Sequence, residues 1–331
     1  MDRRRFLQQA AAAGAAASTS SWLGSVAAFA ADPRARVALV KAANRADGVK
    51  RALALLKPPA FGNADIFIKP NFNSSDPAPG STHLDTLNAL VGELRARGAG
   101  KMTIGDRSGM GVTRDVIAAK DIPALARDLK VTTVVLDELP ATEWDPVRPA
   151  GMHWQRGFAF PRVVRRAGAI VQTCNLKTHR FGGHFTLSLK NSVGFAAKQV
   201  PGDSYNYMTE LHRSPDQRRM IAEINTAYQP AFVLMDAWQA FTTAGPDTGT
   251  IVEPHLMLAA TDRIALDAVG VAILRQYGTT PEVSRGSIFQ LEQIARAIEL
   301  GIGVGRADLI DIATDDQASA AVAATVRAHL T

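Results

Sequence analysis

The richest chemistry in the sequence lies between residues 175 and 198. Lys177, His179, Arg180, His184, Lys190 and Lys198 fall in this stretch, and no Asp or Glu separates them. Ammonium, guanidinium and imidazole groups brought to one place suit a phosphate or a carboxylate. A run of charge can also be a solvated loop. Here Leu176, Phe181, Phe185, Leu187 and Leu189 are interleaved with the charges, which predicts a partly buried segment. Gly182-Gly183 lets the backbone approach another group closely. Phe185 to Lys190 alternates apolar and polar, and as a strand it would put Thr186, Ser188 and Lys190 on one face.

Other polar residues follow short apolar runs. Ile66–Ile68 leads into Lys69 and Asn71, and Met102–Ile104 into Asp106. Val134–Leu136 leads into Asp137, and Ile170–Cys174 into Asn175, Lys177 and His179. Phe232–Met235 leads into Asp236, and Leu256–Ala260 into Asp262. In an open parallel sheet, ligands bind beyond the carboxyl ends of the strands. Turn chemistry accounts equally well for Asp137 and Asp262, but Lys and His are not turn formers. The expected site has His179 as the acid–base group, with Lys177 and Asp106 completing the catalytic set. Lys69, Asn71, Lys190, Asn191 and His184 would bind the ligand. Asp236 and Asp262, near a histidine, could hold a divalent metal, although their spacing follows no known metal pattern. Asp267 falls inside a predicted helix and could cap or pair locally. His212 precedes a helix and is as readily structural as catalytic.

These positions depend on an alternation of strands and helices. Strands are expected at 37–41, 64–69, 101–105, 131–136, 169–174, 231–235, 255–260 and 307–312. Helices are expected at 46–56, 83–97, 113–130 (interrupted by Pro123), 215–228, 264–277 and 289–300. Residues 148–166 read as a hairpin or excursion leading to the strand at 169–174. The pattern predicts an α/β fold with a mostly parallel sheet and helices on both faces. No repeat or linker divides residues 31–331, which read as one domain. Gly301 to Gly305 follows a helix instead of opening one, so it is not a dinucleotide fingerprint. Gly245-Pro246 marks a turn that could act as a lid.

The chain has 331 residues, 47% of them apolar, a formal charge of +6 and one cysteine. This composition supports a large core and excludes a disordered or disulfide-stapled chain. The lone Cys174 excludes an intrinsic iron–sulfur cluster built from several cysteines and reads as a small buried hydrophobe. No basic stripe or reading motif points to nucleic acid. Part of the positive charge sits at the N-terminus. Asp2-Arg3-Arg4-Arg5-Phe6-Leu7-Gln8, the Ala-rich run from Ala10 to Ala30 and the small-x-small triplet Ala28-Phe29-Ala30 match a twin-arginine export signal over residues 1–30. That address predicts a periplasmic or otherwise exported protein that meets the twin-arginine translocase during export.

Several segments occur together in order: Lys69-Pro70-Asn71, Gly105-Asp106, Leu176 to His179, Leu187 to Gly194, the Asp236 strand with Gly245-Pro246, and Thr261 to Ala268. As a set they resemble the family called domain of unknown function 362, across residues 37–312. The resemblance implies an α/β fold and a shared site around these motifs, but supplies no reaction. Some members carry ferredoxin-type cysteine clusters, from which this chain departs. Two functions follow as expectations. One is an enzyme acting on an anionic small molecule. The other is an accessory protein that holds a cofactor or ligand for a redox partner. Replacing Arg3 and Arg4 together by Lys is expected to leave the protein in the cytoplasm, as read by cell fractionation; undiminished export would remove the twin-arginine assignment.

Overall fold

The architecture follows from strands whose two faces are both apolar. The structure, a computed structural model, describes residues 34–330; the export segment expected at 1–30 lies outside the described residues. In β1 (Ala35–Lys41), Val37 and Leu39 enter one core while Ala38 and Val40 enter another. A strand with two buried faces belongs inside a sheet covered by helices on each side.

The sheet also contains β2 (Ile66–Lys69), β3 (Met102–Asp106), β4 (Thr132–Val135), β7 (Ala169–His179), β9 (Phe232–Phe241), β11 (Leu256–Ala260) and β12 (Ile310–Ala313). Between β4 and β7, β5 (Trp144–Val147) pairs with β6 (Phe158–Pro161) as a separate ribbon, which starts before the hairpin or excursion expected at 148–166. Two short strands, β8 (His184–Thr186) and β10 (Ile251–Val252), pair with β7 and β9. The main order is β12-β1-β11-β9-β7-β2-β3-β4. All neighbours on that path are parallel except β11, which is antiparallel to both β1 and β9. The sheet is mostly parallel, as the alternation implied.

One face is covered by α1 (Arg45–Leu56) and α2 (Leu84–Ala96). Their Val49, Leu53, Leu87 and Leu90 pack on Val40, Ile68 and Leu234. Beyond β3 come α3 (Thr113–Ala119) and α4 (Ile122–Asp128). The single helix expected over 113–130 is two, because Asp121 takes a left-handed conformation (φ 53°) and Pro123 sits in the first turn of the second, where its missing N–H is harmless. On the opposite face, α5 (Ser188–Asn191), α6 (Tyr207–Arg213) and α7 (Gln217–Ile224) lead to the long α8 (Arg263–Gln276), with α9 (Glu292–Glu299) and α10 (Gln317–Ala328) after it. α8 is buried from Arg263 to Leu274. Trp154, Phe160, Phe195 and Tyr228 form an aromatic cluster over Phe67 and Ile170 on this same side of the sheet. Among the described residues no helix is long and apolar enough to cross a membrane.

Two departures bear on function. β7 runs to His179 and β9 to Phe241, past the polar residues expected to end them. The two strands keep pairing with each other and with β8 and β10 beyond the parallel sheet, so polar residues continue the ladder. Conversely, β8 stops at Thr186 and the chain turns into α5, so Ser188 does not share a strand face with Lys190. Asp262 is the N-cap of α8: its carboxylate accepts from Ala265 N at 2.9 Å and from Val304 N at 2.8 Å. Asp262→Ala is expected to destabilise the protein by about 1–2 kcal/mol in urea unfolding, without changing ligand affinity.

Candidate functional site

A cavity of about 450 Å³ opens at the carboxyl ends of β2, β3 and β7. The parallel register Ile68↔Ile104 and Ile68↔Val171 brings these three ends side by side. Lys69, Asn71, Asp106, Lys177, His179, Lys190 and Asn191 all line this cavity, together with Asn73, Arg107, Met110, Phe181, Thr186, Lys198, Met208, His212 and Pro246.

Asp106 is the only carboxylate among the lining residues, and it is fully engaged. It pairs with Lys69 Nζ at 2.7 Å and accepts from the backbone N–H groups of Phe72 and Arg107, each at 2.7 Å. Lys69 also donates to Pro70 O at 2.7 Å and to Asn191 Oδ1 at 3.1 Å. Burial lowers the Lys69 pKa, with Asp106 opposing the shift. A Cβ on Gly194 would strike Asp106 Oδ1 and lie 2.7 Å from Lys69 Nζ, so only glycine lets the chain pass this pair. Asp106 therefore fixes Lys69 and the loop after β2, a positioning task within the catalytic set in which it was expected.

Lys177 is fully buried and, among the described residues, has no carboxylate partner. Its ammonium donates to Asn71 Oδ1 at 3.2 Å, to Pro246 O at 3.3 Å and to Gly80 O. Burial, reinforced by Lys190, pushes its pKa down to about 7. The Gly245-Pro246 turn thus serves as part of the cavity wall, tied further by Arg180, which donates to Gly245 O at 3.0 Å and pairs with Asp247 at 2.6 Å. Between Asn175 and Lys177 the pairing of β7 with β9 shifts register; such irregularities re-aim side chains next to sites.

Lys190 has a different environment. Its side chain is buried (residue exposure 8%), and among the described residues no hydrogen bond or ion pair reaches its Nζ. Burial and the Arg107 charge lower its pKa to about 8. Beside it, His179 leaves a buried Nδ1 without a partner. Burial, then Lys190 and Lys177, hold His179 well below its usual range, so its ring is neutral at pH 7. A Cβ on Gly183 would lie 2.5 Å from Lys190 Cε and 3.1 Å from His179 Nδ1, so these side chains flank one point that only glycine leaves open. Thr186 Oγ1 is also buried and unpartnered. Lys190 and Asn191 are held in place by Asp267, whose buried carboxylate accepts from Ser188 N at 2.8 Å, Ser188 Oγ at 2.6 Å and Leu189 N at 3.0 Å. Those three bonds anchor the first turn of α5. Asn191 donates to Thr173 O at 2.9 Å.

Three expected residues lie elsewhere. Asp236 sits within β9, pairs with Arg45 at 2.9 Å and accepts from Thr86 Oγ1 at 2.6 Å; it ties α1 and α2 to the sheet. Asp262 caps α8, as above. The metal role expected of both is corrected on these partners, each of which uses the carboxylate structurally. His184 faces His179 across the β7–β8 hairpin but does not line the cavity. Among the described residues no three His, Cys, Asp or Glu side chains group as metal ligands would. Cys174 is buried, and burial pushes its thiol well above the usual range.

The sequence reading did not assign Arg107 or His212 to the site. Arg107 donates to Ala196 O at 2.9 Å, Ser108 O at 3.3 Å and Val193 O. His212 is linked through Nδ1 to Met208 O at 2.7 Å. A carbonyl can only accept, so the proton is on Nδ1 and Nε2 is left as an acceptor. Arg107 follows Asp106 directly, and that adjacency was a usable signal. The position of His212 before a helix left its role open between structural and catalytic, and the packing of α6 is what brings it to the cavity. Lys198 belongs to the basic run and lies at the rim, where it pairs with Asp137 at 3.4 Å.

Fold and site together define an α/β protein with a basic cavity at the carboxyl edge of its sheet. A profile described as Domain of unknown function (DUF362) matches residues 66–272, and the chain belongs to that family. No curated protein matches the chain. Among solved structures, the lactate racemase apoprotein from Thermoanaerobacterium thermosaccharolyticum is similar at 18% identity and a TM-score of 0.45, covering 71% of this chain and 57% of that one. The chain thus spans little more than half of that neighbour's length.

The lowered lysines set a pH dependence. Lys177 and Lys190 fall from 10.5 to about 7 and about 8 on folding. Between those values and 10.5 the unfolded chain binds more protons than the native one, so stability rises with pH across that window. The melting temperature is expected to climb from pH 7 to pH 9.5. Lys190→Met, which removes a buried cation without an acceptor, is expected to raise stability at pH 7 by on the order of 1–3 kcal/mol and to flatten the climb. A lower melting temperature for this variant at pH 7 would contradict the assignment.

Proposed function

We infer that the cavity binds a small anion, a phosphate or a carboxylate, and that the protein is an enzyme acting on it, with His179 exchanging a proton with the bound molecule. One observation carries this reading. The basic side chains of Lys69, Arg107, Lys177, Lys190 and Lys198 line the cavity, against a single carboxylate that is already paired with Lys69. Such an excess of buried positive charge is relieved by an anion in the cavity. His179 supports the catalytic half of the reading, because a neutral imidazole with an unpartnered nitrogen can accept a proton. Perturbed titrating groups in a cleft are a recurring mark of active sites. The reading includes export through the twin-arginine route, which the Arg3-Arg4 segment supports.

Lys177 gives the sharpest test. Its three donors are taken by protein oxygens, so it acts on a ligand through its charge. Titration calorimetry with inorganic phosphate and with oxalate should show binding at pH 6.5 that weakens as the pH passes through 7 to 8. Lys177→Met should lower affinity about tenfold or more, given that a unit charge near a ligand is worth about 1–4 kcal/mol at 4 Å in partly screened surroundings. Unchanged affinity in a variant that is folded by circular dichroism would refute the anion site.

A further inference from the structure

Four of the five cavity cations are committed to protein acceptors. Lys69 is held by Asp106, Pro70 O and Asn191, and Arg107 by three main-chain carbonyls. Lys177 spends its donors on Asn71, Gly80 and Pro246, and Lys198 meets Asp137 and Gly111 O. Lys190 alone among them has no acceptor, although its side chain is buried against the cavity. An ammonium that only had to supply charge would gain from a carbonyl partner, as its neighbours do. An amine that must expose a lone pair needs the opposite environment: burial, nearby cations and no acceptor.

We propose that Lys190 is a nucleophilic amine that forms a Schiff base with the carbonyl group of an anionic carbonyl compound, of the 2-oxo acid class. The proposal deepens the anion-binding reading and rests on it. Neutral Nζ attacks the carbonyl carbon, a C–N bond forms, and the π electrons move to oxygen, which takes up a proton. The nitrogen loses one proton, giving the carbinolamine. The C–O bond then breaks, the hydroxyl leaves as water after receiving a proton, and the nitrogen lone pair closes the C=N bond. Amine, carbonyl and the proton first taken up by oxygen, which solvent supplies, give the iminium ion and water, with no change of oxidation state. His179, neutral and flanking the same point beside Gly183, accepts the proton from nitrogen and returns it to the leaving hydroxyl. The carboxylate of a 2-oxo acid is bonded to the carbonyl carbon itself, so it stays near the charges of Arg107 and Lys177, which interact with Lys190.

Reductive trapping tests this on the wild-type chain. Glyoxylate with sodium cyanoborohydride converts a Schiff-base lysine to its carboxymethyl derivative, which peptide mapping locates. Lys190 is expected to be modified at least tenfold faster than the exposed Lys50 and Lys101, to about one group per chain, and oxalate should slow it. Lys190→Arg, which keeps the charge, should lose this fast phase while keeping its melting transition. Modification of Lys190 no faster than that of Lys50 would overturn the proposal; if oxalate still bound in a Lys177-dependent way, the anion site would stand without it. Fast modification that oxalate fails to slow would overturn the 2-oxo acid assignment. Absence of both oxalate binding and selective modification would remove both readings.

Discussion

Burying positive charge with almost no negative charge to match it is the constraint around which the site is arranged. Lys69, Arg107, Lys177 and Lys190 are all at least nine-tenths buried, and Asp106 alone answers them directly. Taking a cation out of water costs several kcal/mol unless other dipoles replace the solvent. Main-chain carbonyls do so here. Pro70, Gly80 and Pro246 serve the lysines, and Ser108, Val193 and Ala196 serve Arg107. Most of these carbonyls belong to loops, where the backbone oxygen is not consumed by a ladder; Val193 O also accepts from Ala196 N at 3.2 Å. The loops at 70–82, 107–112 and 242–250 are therefore shaped by the charges they solvate. Lys190 is the exception, left without such a replacement.

The sheet converts sequence order into this arrangement. Parallel pairing of β2, β3 and β7 aligns three carboxyl ends, so residues more than a hundred positions apart meet without a long loop reaching across. The extension of β7 and β9 past the parallel region carries Lys177 and His179 farther out than Lys69 and Asp106. That gives the cavity depth: a floor at the strand ends and a wall from the ribbon. Asp236, in the middle of β9, faces a different task and holds α1 and α2 down through Arg45 and Thr86.

The sequence showed where the basic groups gather more plainly than what its carboxylates do. Lys69 and Asp106 close apolar runs short enough to read as strands, and a parallel sheet then places them together. Asp236 and Asp262 close similar runs, yet one meets an arginine on a helix and the other caps one. A carboxylate after a strand looks the same in sequence whichever partner it finds, because the partner comes from another element. Where β7 and β9 end was hidden for a related reason. Asn175 to His179 lacks an apolar period, and the pairing that keeps it extended comes from β8 and β9. His212 could be noticed but not placed, because α6 arrives through the packing of the aromatic cluster, for which no local pattern stands.

The tie between Ser188 and Asp267 has a consequence for the order in which the molecule comes together. The two residues are 79 positions apart, and Asp267 belongs to a helix made late in synthesis. When the ribosome has passed Lys198, all five cationic residues of the cavity have been made, yet the turn that carries Lys190 and Asn191 still lacks the carboxylate that receives its first N–H groups. The first turn of α5 gains these bonds once α8 has docked against the sheet. Repulsion among the crowded cations is thereby deferred until most of the apolar core is present to oppose it, and an unfinished chain is spared from holding them together.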